Sequence, residues 1–596
     1  MRIADRIVEI LIKNDLEDVF MVTGGAAMHL NDAFTRNKQF NVTFFHNEQA
    51  CVMAADAYAR VKNKPAIVCV TAGPGGANTI NGLFGAWTDS LPVVIISGQV
   101  RTNTLNQNKK LRQLGDQEID ITKIVNPITK LSTILSKPQN VDKVVQNAVS
   151  VSISNRRGPV WIDVPIDIQG KEVAFKEYKI KTNKGKKTIS TNNLEKFKKL
   201  KEEIKNSKRP VILAGNGIHL ANQKKSFIKF INKLNIPVVT AFNGHDLLWE
   251  SNEKYCGRAG TIGDRSGNII VECSDLLLVL GSRLNIRQIG YNYKNFAKDT
   301  FFSMVDIDNE ELHKKTLNVD LPINSDLKDF FNYFNKESVN LNYSHHKEYL
   351  NWSKKIKNEY GIANERYKNS TKINPYLFAR ELSKQAKSSD IIVTSDATAC
   401  LAPFQAFEVK KGQRMFTNSG SGSMGFGLPA AIGASIASNS RVICFEGDGS
   451  LQMNIQELAT VSYNKLNILI IVMENNGYHS IRQSQKNYFS DNLAGFDKSN
   501  GIWFPNLEKI ADAYKIKYKK INNKNIVGNE IKQILNSKKG PLLCEVMVNP
   551  NQNFQPRVTS RRDASGNIVS AELYDMHPFL NKNELEEILK VKKTIS

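Results

Sequence analysis

The chain lacks paired cysteines. Its 596 residues include seven cysteines, and no two of them stand in a Cys-x-x-Cys arrangement, the spacing typical of zinc sites and redox motifs. Several fall inside apolar runs, where a free cysteine packs as a small apolar side chain. We therefore expect reduced core thiols in a cytoplasmic protein. The seven are Cys51, Cys69, Cys256, Cys273, Cys400, Cys444 and Cys544.

Long apolar runs and nucleic-acid recognition motifs are also missing. No run is long enough to span a bilayer, and residues 1–12 form an amphipathic pattern with acidic residues that is not typical of a signal peptide. The formal net charge of +23 would by itself suggest nucleic-acid binding. The lysines are scattered, however, as in residues 196–201, and no recognition motif accompanies them. We expect a solvated lysine-rich surface, no nucleic-acid partner and no membrane partner.

Three α/β segments can be recognised along the chain, whose length is sufficient for three or four domains. Short apolar strands alternate with helical stretches, which predicts parallel strands joined by crossover helices. The expected divisions are a first domain at 1–168, a basic linker at 169–209, a central domain at 210–340, a third domain at 374–549 and a tail at 550–596.

Gly447, Asp448, Gly449 and Ser450 form the most informative motif. An apolar strand at 441–446 precedes them and a helical pattern follows, so the motif is expected to open a helix whose N–H groups favour phosphate. A carboxylate beside phosphate requires a cation, and Mg²⁺ takes oxygen ligands there. The next apolar run, 468–473, leads to Asn475 and Gly477. We predict Mg²⁺ ligands on Asp448, Asn475 and the carbonyl of Gly477. The simpler alternative is a strand-turn-helix with a capping aspartate.

The spacing of this motif resembles the thiamine diphosphate (ThDP) binding motif. A rival is the stretch 420–425, which matches the Gly-x-Gly-x-x-Gly dinucleotide fingerprint. Its continuation, 424–433, instead resembles the segment before the diphosphate motif in ThDP enzymes of the acetolactate synthase group. In that family the backbone of Gly422 and Met424 would hold the aminopyrimidine ring.

ThDP chemistry also needs a carboxyl group against N1′ of the pyrimidine, which activates the C2 proton of the thiazolium ring. The candidate is Glu48, at a predicted strand-to-helix junction. By position alone it could be a solvated glutamate favoured by the helix dipole. The segments 23–27, 72–78 and 89–99 resemble, in order, blocks of the pyrimidine-binding domain of the same enzymes. The neighbouring His46 is a proton relay or a structural histidine, and we favour the second.

The resemblance covers nearly the whole chain. It implies the three-domain architecture of acetolactate synthase and pyruvate oxidase. This is an α/β fold with three doubly wound parallel-sheet domains: a pyrimidine-binding, a central and a diphosphate-binding domain. In that architecture Glu48 of one subunit faces the diphosphate domain of another, so a homodimer or homotetramer is expected, and a regulatory subunit stays open. Further residues carried over are the cofactor contacts Thr23, Gly24, Gly25, Leu401, Gly449, Ser450 and Tyr478, and the active-site residue Gln117.

The central domain of acetolactate synthases holds FAD. The positions here that match are Gly215 and Gly217 in a glycine-rich turn, 281–283, Arg287 and 306–307, and the residues carried over from them are Gly281, Arg283 and Asp306. Arginine near a turn suits a diphosphate, and an acidic strand end suits adenosine groups. The chain departs from the family at 258–259 and 285–286, so an FAD site is expected with an empty or different nucleotide site as the alternative.

The family resemblance implies Mg²⁺- and ThDP-dependent decarboxylation of a 2-keto acid, pyruvate, with transfer of the two-carbon unit to a carbonyl acceptor. With pyruvate as acceptor the product is 2-acetolactate. Asp116 and Ser484 replace more apolar residues and leave room for a polar keto-sugar acceptor, as in a sister transferase, whose tails the segment 556–570 resembles. An enzyme of the pyruvate oxidase or decarboxylase type is the other alternative. A non-catalytic nucleotide-binding protein is disfavoured because Glu48, Asp448 and Asn475 are all present.

Overall fold

The structure, a computed structural model, describes residues 1–106, 108, 110–177, 189–365, 367, 370–489, 492–562 and 565–595. The expected linker and the segment 556–570 therefore lie partly outside the described residues. Within them, each of three sheets has six parallel strands flanked by helices, and one antiparallel hairpin lies in the tail. The prediction of three doubly wound parallel sheets is confirmed.

The first sheet is formed by residues 18–165. Its strands are β1 (Asp18–Met21), β2 (Asn41–Phe44), β3 (Ala66–Val70), β4 (Val93–Gln99), β5 (Leu131–Ile134) and β6 (Val160–Pro165). Its helices are α1 (Ile3–Lys13), α2 (Met28–Arg36), α3 (Glu48–Lys62), α4 (Pro74–Asn78), α5 (Ile80–Thr88), α6 (Ile121–Val125), α7 (Val141–Ile153) and α8 (Ile166–Gln169). The strand order is β2-β1-β3-β4-β6-β5.

The second sheet lies in the central part of the chain. Its strands are β7 (Pro210–Ala214), β8 (Val238–Thr240), β9 (Tyr255–Arg258), β10 (Leu276–Leu280), β11 (Phe301–Asp306) and β12 (Leu321–Asn324). Its helices are α9 (Thr191–Asn206), α10 (Gly217–Leu220), α11 (Lys224–Asn232), α12 (Arg265–Glu272), α13 (Ile286–Ile289), α14 (Asn309–Leu312), α15 (Leu327–Phe334) and α16 (His346–Tyr360). The strand order is β12-β11-β10-β7-β8-β9.

The third sheet carries the diphosphate motif. Its strands are β13 (Ile391–Thr394), β14 (Arg414–Phe416), β15 (Val442–Gly447), β16 (Ile468–Glu474), β17 (Lys517–Ile521) and β18 (Leu542–Met547). Its helices are α17 (Pro375–Gln385), α18 (Ala397–Ala406), α19 (Gly427–Ala437), α20 (Asp448–Gln452), α21 (Glu457–Tyr463), α22 (His479–Tyr488), α23 (Leu507–Ala513) and α24 (Val527–Leu535). The strand order is β14-β13-β15-β16-β18-β17.

The tail adds the hairpin β19 (Ser560–Arg562) and β20 (Ile568–Ser570), then helices α25 (Lys582–Leu589) and α26 (Val591–Thr594). It returns to the central domain, where Arg265 donates through Nη1 to the carbonyl of Met576 at 2.7 Å. Within the described residues, no helix combines the length and the apolar character needed to cross a bilayer. All seven cysteines are buried and free.

The central strands of the sheets are almost wholly apolar because helices cover both faces of each sheet. Strands β10 and β16 are buried along nearly their whole length, as expected for parallel sheets. Neighbouring parallel strands end at the same edge, so the turns that follow them converge. Strand β15 pairs with β16 in parallel, and Gly447 lies opposite Met473. This register places the two predicted metal-binding turns side by side.

Helix α3 of the first domain packs against helix α19 of the third domain in a single apolar core. Small residues allow the close approach, since a Cβ added to Gly433 would lie 1.9 Å from the carbonyl oxygen of Ala54. The stretch 420–425 belongs to this domain contact. The backbone N–H of Gly420 donates to Asp89 at 3.0 Å, and a Cβ there would meet the Thr88 hydroxyl oxygen at 2.5 Å. The first glycine of the rival fingerprint is therefore explained by packing between domains.

Candidate active site

Asp448 connects the two turns at the edge of the third sheet. Its Oδ1 accepts the N–H of Gly449 at 2.8 Å, and its Oδ2 accepts the N–H of Gly477 at 2.8 Å. The side chain is buried, and burial raises the pKa of Asp448 to about 7 although the N–H groups of Gly477 and Gly449 oppose the rise. A buried carboxylate at this position would be stabilised by a cation.

Asn475 presents an oxygen without a partner. The residue is only 5% exposed, and its Nδ2 donates to Oγ1 of Thr398 at 3.1 Å. Among the described residues, no hydrogen-bond donor reaches its Oδ1. A buried unsatisfied oxygen costs about 1–3 kcal/mol, and a hard cation bound beside Asp448 would give this oxygen a partner. Asp448 and Asn475 therefore fit Mg²⁺, which prefers oxygen ligands.

The other residues of the two turns pack around Asp448 and Asn475. A Cβ added to Gly449 would lie 2.0 Å from Cε1 of Tyr478, so only glycine allows the ring to lie over the turn. Gly477 has a φ of +106°, and a Cβ there would lie 1.8 Å from the carbonyl oxygen of Phe496. The Ser450 hydroxyl lies 2.7 Å from that of Ser395.

The loop around Gly422 joins the same region. The N–H of Gly425 donates to Oγ of Ser450 at 2.8 Å, which ties the loop to the diphosphate motif. Gly422 has a φ of +64° and open space on its Cβ side, and Met424 is partly buried. Leu401 lies on α18 with Thr398 and packs partly against the core. The sequence-predicted residues of the third domain thus form one continuous region.

Glu48 is the first residue of α3, and the side chain of Asn47 caps the helix by accepting the N–H of Gln49. Oε2 of Glu48 accepts a hydrogen bond from Nδ2 of Asn78 at 3.0 Å. The side chain is 9% exposed, so the carboxyl group lies in a largely desolvated place. A hydrogen bond from α4, the helix of the glycine-rich segment, therefore holds the Glu48 side chain.

Thr71 lies between the glycine-rich turns of the first domain. A Cβ on Gly24 would lie 2.4 Å from Cβ of Thr71, and one on Gly75 would lie 2.7 Å from its Cγ2. Gly25 has open space on its Cβ side and Thr23 is exposed. The structure brings Gly24, Gly75 and Glu48 together, with Thr23 and Gly25 at the surface beside them.

Gln117 lies in a loop against the same turns. Its φ is +58°, and its carbonyl oxygen lies 2.2 Å from the position of a Cβ on Gly73. Its side chain is exposed. Within the described residues, no hydrogen bond joins the side chain of Glu48 directly to that of Asp448.

The corresponding edge of the central sheet has a different character. A Cβ added to Gly215 would lie 2.4 Å from the carbonyl oxygen of Gly281, and one added to Gly217 would lie 2.7 Å from its Cα. The two turns therefore pack against each other. Asp306 accepts the N–H of Asp308 at 2.9 Å, and burial raises its pKa to about 6.

Neighbouring charged groups at that edge are engaged within the protein. Arg156 of the first domain binds Asp308 at 2.7 Å and Glu311 at 2.8 Å. The Lys314 ammonium group donates to the carbonyl of Arg283. The sequence-predicted residues Gly281, Arg283 and Asp306 do lie at one sheet edge, but these contacts already account for much of their placement.

Sequence reasoning missed Thr71, Asn78, Thr398 and Glu457. Asn78 was part of a family-like block without an assigned role, and its distance from Glu48 along the chain gave no sign of contact. Glu457 is the only charged residue between Leu451 and Asn464, and that isolation was the available signal.

Comparison with known proteins identifies the class. Models of the thiamine pyrophosphate enzymes match three parts of the chain: the N-terminal TPP binding domain at residues 1–124, the central domain at 197–334 and the C-terminal TPP binding domain at 397–546. The chain therefore belongs to the thiamine pyrophosphate enzyme family and is a ThDP-dependent enzyme.

Within that class the chain is similar to acetolactate synthases. It is 30% identical over 577 residues to the acetolactate synthase large subunit of Lactococcus lactis subsp. lactis (strain IL1403), covering 96% of this chain and 95% of that protein. It is 30% identical over 574 residues to the chloroplastic acetolactate synthase of Arabidopsis thaliana, covering 94% of this chain and 83% of that protein. The family resemblance inferred from the motifs is confirmed.

Proposed function

We propose that this enzyme decarboxylates pyruvate and transfers the two-carbon unit to a second carbonyl compound, with 2-acetolactate as the product when pyruvate is the acceptor. The observation that carries the proposal is the pair of half-sites on one chain: Glu48 in a desolvated position and, in the third domain, Asp448 beside the unpartnered oxygen of Asn475. The similarity to acetolactate synthases over most of the chain supports the choice of reaction.

Asp448, Asn475 and the carbonyl of Gly477 would hold Mg²⁺. The ion would neutralise the Asp448 carboxylate, give Oδ1 of Asn475 a partner and bind the cofactor diphosphate. Gly449 and Ser450 would lie beside the diphosphate, with Tyr478 over the turn. The backbone of Gly422 and Met424 would hold the aminopyrimidine ring, and Leu401 would support the bent shape of the cofactor.

When bound, ThDP supplies the carbon that adds to the keto group and accepts the electrons released with CO₂. Glu48 would hold a proton against N1′ of the pyrimidine. The hydrogen bond from Nδ2 of Asn78 to Oε2 would hold the carboxyl group in place for this role. Gln117 would act on the reacting substrate, and the turn of Thr23, Gly24 and Gly25 would contact the cofactor.

Glu48 and Asp448 are proposed to act in different active sites of a homodimer or homotetramer, since each half-site would face the complementary half-site of a second copy. The domain limits 1–168, 210–340 and 374–549, the cytoplasmic location and a regulatory partner subunit belong to the same proposal. Light scattering of the purified protein with and without cofactor tests the assembly, and a monomer with full activity would contradict it.

FAD is proposed to bind at the edge of the central sheet near Gly281, Arg283 and Asp306. Arg283 is partly buried at the turn, and Asp306 ends strand β11, where an acidic group suits ribose hydroxyls. The visible absorption spectrum of the purified protein and of its denatured supernatant tests this. Absence of a flavin spectrum even after incubation with FAD would contradict it.

A polar acceptor such as a keto-sugar derivative is the second candidate. Asp116 and Ser484 are both exposed, so neither is committed to the core. Pyruvate consumption that stays slow until a larger carbonyl acceptor is added would favour this reaction. Pyruvate-dependent reduction of an electron-accepting dye would favour a reaction of the pyruvate oxidase type.

The deciding experiment incubates purified protein with ThDP, Mg²⁺ and pyruvate and identifies the product by mass spectrometry. The Glu48→Gln variant keeps the shape of the side chain and loses the acid. Acetolactate from the wild type but not from this variant is the expected result. Absence of pyruvate turnover with every acceptor would contradict the donor assignment.

A further inference from the structure

Glu457 is a buried carboxylate that the proposed reaction does not use. It is the first residue of α21 in the third domain, and it is 0% exposed. Its Oε1 accepts the backbone N–H of His46 at 3.1 Å, and the N–H of Asn47 also donates to this carboxylate. His46 and Asn47 are the two residues that precede Glu48. A side chain from the third domain therefore binds the turn that carries the proposed activating acid.

These contacts complete the start of α3. The N–H groups of the first helical turn, and of the residues just before it, have no partner within the helix. Of these, the Asn47 side chain accepts only the N–H of Gln49. Glu457 satisfies those of His46 and Asn47. Two backbone hydrogen bonds to one buried carboxyl group hold this turn in a fixed position relative to α21.

Thr460 fixes the carboxylate from the other side. Its hydroxyl donates to Oε2 of Glu457 at 2.7 Å and lies 3.4 Å from the carbonyl of Phe44. The imidazole of His46 is exposed, so this residue takes part through its backbone. Oε1 of Glu457 is thus directed at the turn, and Oε2 is held within α21.

The same stretch of chain also contacts the loop proposed to hold the pyrimidine ring. Nδ2 of Asn454 donates to the carbonyl of Gly425 at 2.8 Å and lies 3.7 Å from Sδ of Met53 on α3. The segment between α20 and α21 thus links the metal turn, the Gly422 loop and the Glu48 turn of one chain.

We propose that Glu457 is a positioning residue for Glu48, which fixes the turn before α3 so that the Glu48 carboxyl group is presented to the cofactor pyrimidine. The inference rests on the proposed function of Glu48. It assigns Glu457 no contact with substrate or cofactor, only an effect that passes through the backbone of His46 and Asn47.

The first test uses protein without cofactor. Glu457→Gln keeps the volume but loses the carboxyl group and one acceptor oxygen, whereas the control Asp390→Asn removes a buried carboxylate that pairs with Arg441 elsewhere in the third domain. Hydrogen exchange followed by mass spectrometry on a peptide spanning residues 44–50 should be roughly tenfold faster in Glu457→Gln and nearly unchanged in the control. Unchanged exchange in Glu457→Gln would overturn the proposed restraint.

The second test measures how fast the C2 proton of bound ThDP exchanges with deuterium, by rapid acid quench and proton NMR. Glu457→Gln should slow this exchange roughly tenfold with ThDP affinity retained, and Glu457→Asp should lie between it and the wild type. Combined with Glu48→Gln, the Glu457 change should add no further loss, because it acts through Glu48. Additive losses would show that Glu457 acts by another route.

The two tests separate the failure of this inference from that of the proposed function. If the wild type exchanges the C2 proton and Glu457→Gln does so equally fast, the positioning role is wrong and the proposed function stands. If the wild type and Glu48→Gln exchange the C2 proton at the same rate, the proposed role of Glu48 is wrong, and the positioning role of Glu457 fails with it. Glu457→Asp keeps the carboxyl group, and it replaces Glu457→Gln in both tests if the glutamine variant does not fold.

Discussion

The third and central domains end their parallel sheets in edges of the same architecture, but the two edges differ in what remains unsatisfied. At the third edge Asn475 keeps a buried oxygen without a partner among the described residues, and Asp448 is held by backbone N–H groups alone. At the central edge, Gly217 packs against Gly281 and Asp308 pairs with Arg156. The third edge therefore combines an unpartnered oxygen with a carboxylate, whereas the turns of the central edge at Gly217 and Gly281 pack against each other.

The largest effect should follow from Asp448→Asn. The amide keeps the shape but loses the charge, and it would direct an NH₂ group towards a backbone N–H donor. We expect Mg²⁺-dependent ThDP affinity to fall roughly 100-fold or more, as measured by titration calorimetry. Because burial of the carboxylate costs stability, the melting temperature without cofactor should stay the same or rise.

Asp390→Asn is the control for damage to the third domain. Asp390 is buried and pairs with Arg441 at 2.6 Å, so the variant should lower the melting temperature with ThDP affinity retained. If Asp448→Asn bound ThDP and Mg²⁺ as the wild type does, the assignment of the third edge as the metal site would be wrong.

Gly449→Ala tests whether the turn beside Tyr478 is shaped for the diphosphate. The added Cβ would displace the Tyr478 ring, and we expect ThDP affinity to fall roughly 10-fold to 100-fold. Gly528→Ala in α24 of the third domain is the control, since the nearest atoms to its Cβ would be 3.7 and 3.9 Å away. Equal affinities in the two alanine variants would show that the position of Tyr478 does not matter for binding.

The difference between the edges shows what the sequence could predict. The apolar runs of β15 and β16 predicted parallel neighbours, and this alone brings Asp448 and Asn475 to one edge. The glycine pattern of the central domain was equally suggestive, but glycines at a turn do not tell whether a ligand or another turn approaches them. Contacts between distant segments, such as Asn475 with Thr398 and Glu48 with Asn78, depend on the packed structure and have no local pattern.

Gly217→Ala probes the central edge. Its Cβ would press on the backbone of Gly281, so we expect a loss of about 1–3 kcal/mol in the free energy of unfolding, measured by chemical denaturation, with ThDP affinity unchanged. Gly528→Ala in α24 is the control, because its nearest atoms would be 3.7 and 3.9 Å away, and alanine should be neutral or stabilise by about 0.5–1 kcal/mol. A change in ThDP affinity without loss of stability would contradict the contrast between the edges.

Asp306→Asn should give the smallest effect, and one that depends on pH. Burial raises the pKa of Asp306 from 3.8 to about 6, so the folded protein holds this proton more tightly than the unfolded chain does. Raising the pH from about 4 to about 6 therefore costs the wild type stability, and above that range the cost is constant. Asparagine can still accept the N–H of Asp308 and does not titrate, so without ligand the variant should gain about 1–2 kcal/mol over the wild type at pH 7 and nothing at pH 4. Melting curves across this range measure the difference. A gain that is the same at both pH values would show that a group other than the Asp306 carboxylate is responsible.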